Sequence, residues 1–176
     1  LEAQILHRTG NLQDAARLAN TALHRARQAN DPNVLAQALA AAGNCLVSAG
    51  EAERALELLR EGKELAHKLR QHGRTAAINN NLAFVAMRAG NHKAAREAAR
   101  QAALGGEAVG SPHTVAQAYG MLARVALQEG DLERATFYLD EARLRYEALG
   151  ARWGLATTVN ALGEVRRMAG DLAGAE

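Results

Sequence analysis

Histidine and cysteine are the residue types of this 176-residue chain that most readily bind metal ions or act as nucleophiles. The six histidines stand far apart, at positions 7, 24, 67, 72, 92 and 113. His67 and His72 are the closest pair, and their spacing of five residues turns them to different faces of a helix. The spacing therefore predicts no metal site.

Cys45 is the single cysteine, which excludes an internal disulfide and a zinc site built from several cysteines. It directly precedes Leu46 inside a stretch that we predict to be helical. We interpret it as a small core side chain. A reactive thiol is the alternative.

The motifs of common enzyme families are missing from the sequence. It contains no Gly-x-x-x-x-Gly-Lys-Ser/Thr phosphate loop, no Gly-x-Ser-x-Gly elbow and no His-Glu-x-x-His zinc pair. Gly105, Gly106 and Gly110 resemble part of a phosphate loop, but they follow a predicted helix rather than a strand and lack the lysine. We interpret them as a loosened helix end. The sequence thus predicts a protein that is not an enzyme and holds no cofactor.

The charge is nearly balanced, with 21 Lys and Arg against 19 Asp and Glu and a net charge of +2. That balance predicts no direct binding to nucleic acid, which needs a basic surface. The charges are unevenly spread, since Arg60 to Arg100 holds nine Lys/Arg against three Glu and Glu129 to Glu147 holds six acids against three Arg. Such a field steers a charged partner. An ordinary solvated helix surface is the simpler interpretation.

No apolar run approaches the roughly 20 residues of a membrane span, and no signal-peptide pattern opens the chain. We therefore expect a cytoplasmic protein without a membrane partner. The chain begins with Leu1 rather than methionine. We expect it to be a piece of a larger protein.

Alanine dominates the apolar residues. The chain contains 41 alanines and only two prolines, while aromatic residues make up 3%. This composition favours helices over strands. Because small side chains fill little space, the core must form where helix backbones approach closely.

Glycine and alanine recur with a period of 40 residues. One register is Gly10, Gly50, Gly90, Gly130 and Gly170, and a second is Ala15, Ala55, Ala95, Ala135 and Ala175. Two further registers are Ala36, Ala76, Ala116 and Ala156, and Gly43, Ala83, Ala123 and Gly163. We predict that Ala95 and Ala135 lie almost fully buried at helix crossings. We also predict close helix contacts at Gly62 and Gly120, with a hinge as the alternative.

Each period is predicted to hold two antiparallel helices. The glycine ends the first helix in a left-handed cap, and the residue after it caps the second at Asn11, Asn91, Asp131 and Asp171. Asp31-Pro32 and Ser111-Pro112 each match an N-cap followed by proline at the first helical position. The predicted first helices span 34–49, 74–89, 113–129 and 153–169. The predicted second helices span 12–29, 52–70, 92–108 and 132–148, with broken end pieces at 1–9 and 171–176.

These residues resemble a known repeat family. The run Leu82-Ala83-x-x-Ala86, then Gly90 and Ala95, is repeated as Leu122-Ala123-x-x-Ala126, then Gly130 and Ala135-x-x-x-Leu139. This pattern resembles the tetratricopeptide repeat over essentially the whole chain, and HEAT repeats of similar period fit it less well. The resemblance implies an all-α fold, a right-handed superhelical solenoid of antiparallel helix pairs. It implies one domain over residues 1–176, with about four repeats and incomplete helices at the ends.

The long period and the stretches 148–156, 161–165 and 170–172 are similar to the repeat arrays of LuxR-type and SARP-type transcription activators and of related signalling ATPases. This similarity implies a part of a bacterial signalling or transcription regulator. The function implied is a scaffold or sensor module that binds a protein or peptide. A self-associating unit joined through its end repeats and a small-ligand sensor remain the alternatives.

The resemblance also implies where a partner would bind, because in tetratricopeptide arrays the first helices line the concave face. Matching the registers gives the candidate contacts Gln37, Asn44, Asn80, Phe84, Met87, Gln117, Arg124, Asn160, Glu164 and Arg167. The amides can hydrogen-bond an extended peptide backbone, Phe84 and Met87 offer an apolar patch, and Arg124 can pair with an acid. A merely solvated helix face is the alternative.

Overall fold

A computed structural model of the protein describes residues 12–170. Eight helices account for nearly all of this range, and it contains no strand. They are α1 (Leu12–Gln28), α2 (Pro32–Ala49), α3 (Ala52–Lys68), α4 (His72–Arg88), α5 (His92–Ala108), α6 (Pro112–Gln128), α7 (Leu132–Ala148) and α8 (Arg152–Met168). The predicted all-α class is confirmed, and each first helix begins one or two residues earlier than predicted.

Short turns reverse the chain between successive helices. Gly50, Gly90 and Gly130 end first helices with φ of 87°, 73° and 74°, a left-handed conformation that glycine adopts without a steric penalty. Asn30 and Arg70 hold the same conformation after second helices, with φ of 53° and 54°. The predicted glycine caps are therefore confirmed within residues 12–170, whereas Gly10 lies outside them.

Polar side chains cap the helix starts where the sequence predicted them. Asp31 accepts from the backbone N–H of Asn33 at 2.8 Å, and Asn91 and Asp131 each accept a backbone N–H three residues on, at 3.0 Å. Ser111 departs from the prediction, because its hydroxyl pairs with the Thr114 hydroxyl at 2.8 Å instead of capping α6. The predicted caps Asn11 and Asp171 and the end pieces 1–9 and 171–176 lie outside the described residues.

Each helix packs against the next one along the chain, and the first helices also contact one another, since α4 touches both α2 and α6. The second helices are bridged by long side chains, as in the pairs Arg27 with Glu61 and Lys63 with Gln101. First helices therefore lie closer together than second helices, so the row α2, α4, α6 and α8 forms the inner face of a solenoid. The second helices α1, α3, α5 and α7 form the outer face.

The small residues of the repeat lie at the helix crossings. Ala15, Ala55, Ala95 and Ala135 are fully buried, which confirms the prediction for this register up to Ala135. A Cβ on Gly43 would stand 2.6 Å from Leu59 Cγ, so only glycine fits at that crossing. Ala175 lies outside the described residues.

Gly62 and Gly120 differ in their surroundings. A Cβ on Gly62 would lie 3.1 Å from the Cβ of Leu39, a close contact as predicted. A Cβ on Gly120 would meet nothing within 4 Å. The prediction for Gly120 is wrong, because no neighbouring helix packs over that side of α6.

Candidate functional site

A groove of about 390 Å³ opens on the inner face between α2 and α4. Its lining consists of Gln37, Ala40, Ala41 and Asn44 from α2 and of Arg74, Ala77, Ile78 and Asn81 from α4. Gln37 and Asn44 are exposed, as expected of residues that meet a partner. The small alanine side chains leave room above α2 and α4, so a partner's backbone can approach both helices.

Arg74 is held at one end of this groove by two hydrogen bonds in series. Its Nε donates to Gln71 Oε1 at 2.5 Å, and Gln71 Nε2 donates to Asn33 Oδ1 at 2.7 Å. Asn33 lies in the first turn of α2, so this relay joins the starts of the two helices that form the groove. Arg74 was missed in the sequence, although its spacing of three residues from the inner-face residue Ala77 places both on one helix face.

Asn80 joins α4 to α6. Its Nδ2 donates to the backbone carbonyl of Thr114 at 2.9 Å and lies 3.5 Å from Gln117 Oε1. Asn80 is 7% exposed. The side-chain oxygens of Asn80 and Asn79 are both buried and have no hydrogen-bond partner among residues 12–170. Asn80 therefore fixes the spacing of the inner face, while Gln117 beside it is exposed.

Phe84 and Met87 are both partly buried on α4. Phe84 packs against the largest buried cluster, which includes Leu39, Leu46 and Ile78. Its ring thus serves the core on one side and leaves the other side accessible. A substitution at Phe84 will change the free energy of unfolding as well as the surface.

Arg124 on α6 and Asn160, Glu164 and Arg167 on α8 are exposed. None of these four side chains makes a hydrogen bond or ion pair within residues 12–170. They continue the inner-face registers, but no contact in the described part of the chain joins them to the groove between α2 and α4. The structure thus brings Gln37 and Asn44 together in one groove and Asn80 together with Gln117.

Cys45 is 2% exposed, which confirms its interpretation as a core side chain. Burial raises the pKa of its thiol above the ordinary value of 9.0. The thiol is therefore protonated at neutral pH, and a protonated, buried thiol is a poor nucleophile.

The described part of the chain also contains no group of three or more His, Cys, Asp and Glu side chains placed to hold a metal ion. His7 lies outside it. None of the helices in residues 12–170 is long and apolar enough to span a membrane.

The sequence matches a known repeat family over the helix pairs α4–α5 and α6–α7. Residues 74–148 match the tetratricopeptide repeat family. The match begins at Arg74 in the groove and ends with α7, so it covers the last two of the three complete helix pairs that the structure describes. A tetratricopeptide-type repeat scaffold is typical of proteins that bind other proteins, and no catalytic family is indicated.

Solved structures share the fold at low sequence identity. BtubC (BKLC) from P. vanneervenii is similar over 98% of this chain and 72% of its own, with 22% identity and a TM-score of 0.78. A Rap protein complexed with Competence and Sporulation Factor is similar over 99% of this chain and 49% of its own, with 15% identity and a TM-score of 0.91. The kinesin light chain TPR-like repeats of Podosopora anserina cover 98% of this chain and 86% of their own, with 16% identity and a TM-score of 0.71.

The similarity to these structures establishes the tetratricopeptide-like solenoid fold. This chain spans about half the length of the Rap protein. No curated protein matches the sequence. The resemblance to LuxR-type and SARP-type regulators stays a prediction.

Proposed function

We propose that this chain is a non-enzymatic scaffold that holds an extended peptide or protein segment along its inner face. The observation that carries the proposal is the open groove between α2 and α4, in which Arg74 is already held by its hydrogen bond to Gln71. Groups that are fixed before binding lose little entropy when a partner arrives. A groove of this kind suits a partner that supplies backbone N–H and C=O groups.

The groove lining supplies groups that match a peptide. Gln37, Asn44 and Asn81 each carry an amide that donates and accepts hydrogen bonds, as a peptide backbone requires. Arg74 offers a cation that its contact with Gln71 keeps in one orientation. We therefore expect a carboxylate of the bound segment, on a side chain or at its C-terminus, to lie beside Arg74.

The inner face continues along α6 and α8 in this proposal. Phe84 and Met87 would receive an apolar side chain, and Gln117 and Arg124 would contact the next stretch of the segment. Asn80 would act through its bond to Thr114, which sets the distance between α4 and α6. On α8, the candidate contacts are Asn160, Glu164 and Arg167.

The Rap protein in complex with Competence and Sporulation Factor supports a binding role, because its fold matches nearly all of this chain. By the same similarity and the long repeat period, we propose a place within a larger bacterial signalling or transcription regulator. A small-ligand sensor is the second candidate, and the same open groove would hold the ligand. Self-association through the end repeats stays a prediction.

A display library of random peptides, selected on the immobilised chain, tests the proposal. Ala77→Arg fills the groove from an exposed position, and Ala22→Arg places the same side chain on the exposed side of α1. We expect selected peptides to bind the wild type and Ala22→Arg equally, and Ala77→Arg about tenfold or more weakly. Equal binding to both variants, or a selection that yields no binder, would contradict the proposal. A thermal shift with small metabolites and none with peptides would favour the second candidate.

A further inference from the structure

Charged residues, counted without histidine, are distributed unequally between the two faces of the solenoid. The outer helices α1, α3, α5 and α7 carry 13 Lys and Arg and 11 Asp and Glu. The inner helices α2, α4, α6 and α8 carry six arginines and a single acid, Glu164 on α8. On α2, α4 and α6 the charged residues are Arg74, Arg88 and Arg124. The inner face of these three helices is therefore cationic.

Arg74 and Arg88 stand at opposite ends of α4. Arg74 lies in the first turn of the helix, and Arg88 is its last residue. Arg88 follows the groove residue Asn81 by seven residues, or two turns, so both lie on the inner face. Fourteen residues of helix separate the two arginines along the axis by about 21 Å. Arg74 is thus at one end of the groove, and Arg88 lies beyond the other end.

Acids of the chain do not neutralise these two arginines. Arg88 is exposed and forms no ion pair within residues 12–170, and the Nε of Arg74 donates to the neutral amide of Gln71. The positions equivalent to Arg88 on the neighbouring inner helices are Ser48 and Gln128, which are uncharged. Helix stability does not account for Arg74, because the helix dipole disfavours a cation in the first turn. Both positive charges are therefore available to a partner.

We propose that the segment bound along the inner face is acidic, with one carboxylate beside Arg74 and a second beside Arg88. This inference rests on the proposed function and names the chemistry of its partner. An extended backbone rises about 3.3 Å per residue, so about 21 Å corresponds to about six residues. The two acids are therefore about six residues apart, and the stretch between them lies along α4. Hydrogen bonds between arginine and a carboxylate are stronger than those between neutral groups.

The lining between the two arginines favours an acidic peptide over a nucleic acid. A nucleic-acid strand carries a negative charge at every nucleotide, which a continuous row of cations would match. Between Arg74 and Arg88, the inner face of α4 instead offers the uncharged residues Ala77, Asn81 and Phe84. An amide binds a peptide backbone, and a partly exposed ring receives an apolar side chain. Two separate cations with neutral groups between them suit two separate acids on a peptide.

Selection of displayed random peptides on the wild-type chain and on the double variant Arg74→Glu with Arg88→Glu tests this inference. Wild-type binders should be enriched in pairs of Asp or Glu about six residues apart, and the variant should select Lys or Arg at that spacing. A synthetic wild-type binder should bind the variant about tenfold or more weakly. Arg60→Glu with Arg100→Glu is the matched control and should bind like the wild type, because these exposed arginines hold equivalent positions on the outer helices α3 and α5.

The possible failures of this experiment are distinguishable. Wild-type binders without paired acids would overturn this inference and leave the proposed function intact. A selection that yields no binder would contradict the proposed function and this inference with it. Equal weakening by the outer-face control would overturn the inference, since the net charge and not the inner face would then decide binding. Binding of an oligodeoxythymidylate as tight as that of the selected peptides would overturn it in favour of a nucleic acid.

Circular dichroism checks that both double variants keep their helix content. Should the inner-face reversal lower it, Arg88→Glu alone supplies the readout, because Arg88 is exposed and makes no contact that the fold requires. That single variant should still weaken a wild-type binder, and unchanged binding to a folded Arg88→Glu chain would overturn the inference.

Discussion

The Asn80 side chain donates a hydrogen bond of 2.9 Å to the backbone carbonyl of Thr114, across the boundary between two repeats. Thr114 lies in the first turn of α6, where its hydroxyl also meets Ser111. The bond therefore fixes the start of α6 against the middle of α4. The position equivalent to Asn80 on α8 is Asn160, which is exposed and has no such bond within residues 12–170.

Asn80→Ala is expected to lower the free energy of unfolding by about 0.5–1.5 kcal/mol, because it removes the hydrogen bond that joins α4 to the Thr114 carbonyl of α6. Asn160→Ala is the matched control and should change the free energy of unfolding by less than about 0.5 kcal/mol. Urea unfolding followed by circular dichroism measures both. Equal effects of the two substitutions would contradict the role assigned to Asn80.

Gly120→Ala and Gly154→Ala are expected to have opposite effects on stability. A Cβ at Gly120 meets nothing within 4 Å, so alanine should stabilise the helix by about 0.5–1 kcal/mol. A Cβ at Gly154 would stand 2.6 Å from two ring atoms of Tyr146, a buried side chain. That overlap should lower the free energy of unfolding of the Gly154→Ala variant by about 1–3 kcal/mol. Thermal melts of the two variants compare them directly, and a shift of the same sign in both would refute the contrast.

Ala135→Leu should destabilise the fold by about 1–3 kcal/mol, because Ala135 is fully buried at a crossing and the added atoms have no space. Ala94→Leu adds the same atoms at an exposed position of α5 and should be nearly neutral. Chemical unfolding at equilibrium gives both values. An unchanged melting temperature for Ala135→Leu would mean that the crossing is looser than described.

Cys45 should react slowly with a disulfide reagent in the native protein and fast in urea, because the thiol is buried. Since folding raises its pKa above 9.0, the unfolded chain loses the thiol proton more readily. The stability linked to this group is therefore complete below about pH 9 and is lost as the pH rises further. A Cys45→Ala chain that carries Ala22→Cys supplies an exposed thiol for comparison. Native labelling of Cys45 as fast as that of the exposed thiol would contradict this account.

The repeat and the helix ends could be predicted from the sequence because their causes are local. Left-handed glycines after first helices, an N-cap such as Asp131 and proline at position 32 each act within a few residues of the chain. The burial of Ala95 and Ala135 followed from the period, since every crossing in a stack of equal helix pairs excludes a larger side chain.

Only part of the candidate site could be predicted from the sequence. Gln37 and Asn44 are exposed in the groove as predicted, whereas Asn80 is buried beneath α6 and Arg74 was not singled out. The orientation of Arg74 depends on Gln71 and through it on Asn33, which lies 38 residues before Gln71. The residue pattern of one helix does not predict these hydrogen bonds, because Asn33 belongs to a different helix from Arg74.

The sequence by itself determined the repeating unit of this protein, namely helix type, helix ends and the small residues at each crossing. Only the tertiary structure decided how equivalent positions differ. Asn80 on α4 is covered by α6, whereas the equivalent Gly120 on α6 has open space beside it. The physical reason is that burial and hydrogen bonding at a position depend on neighbours contributed by other repeats, and those neighbours change along the solenoid even where the register does not.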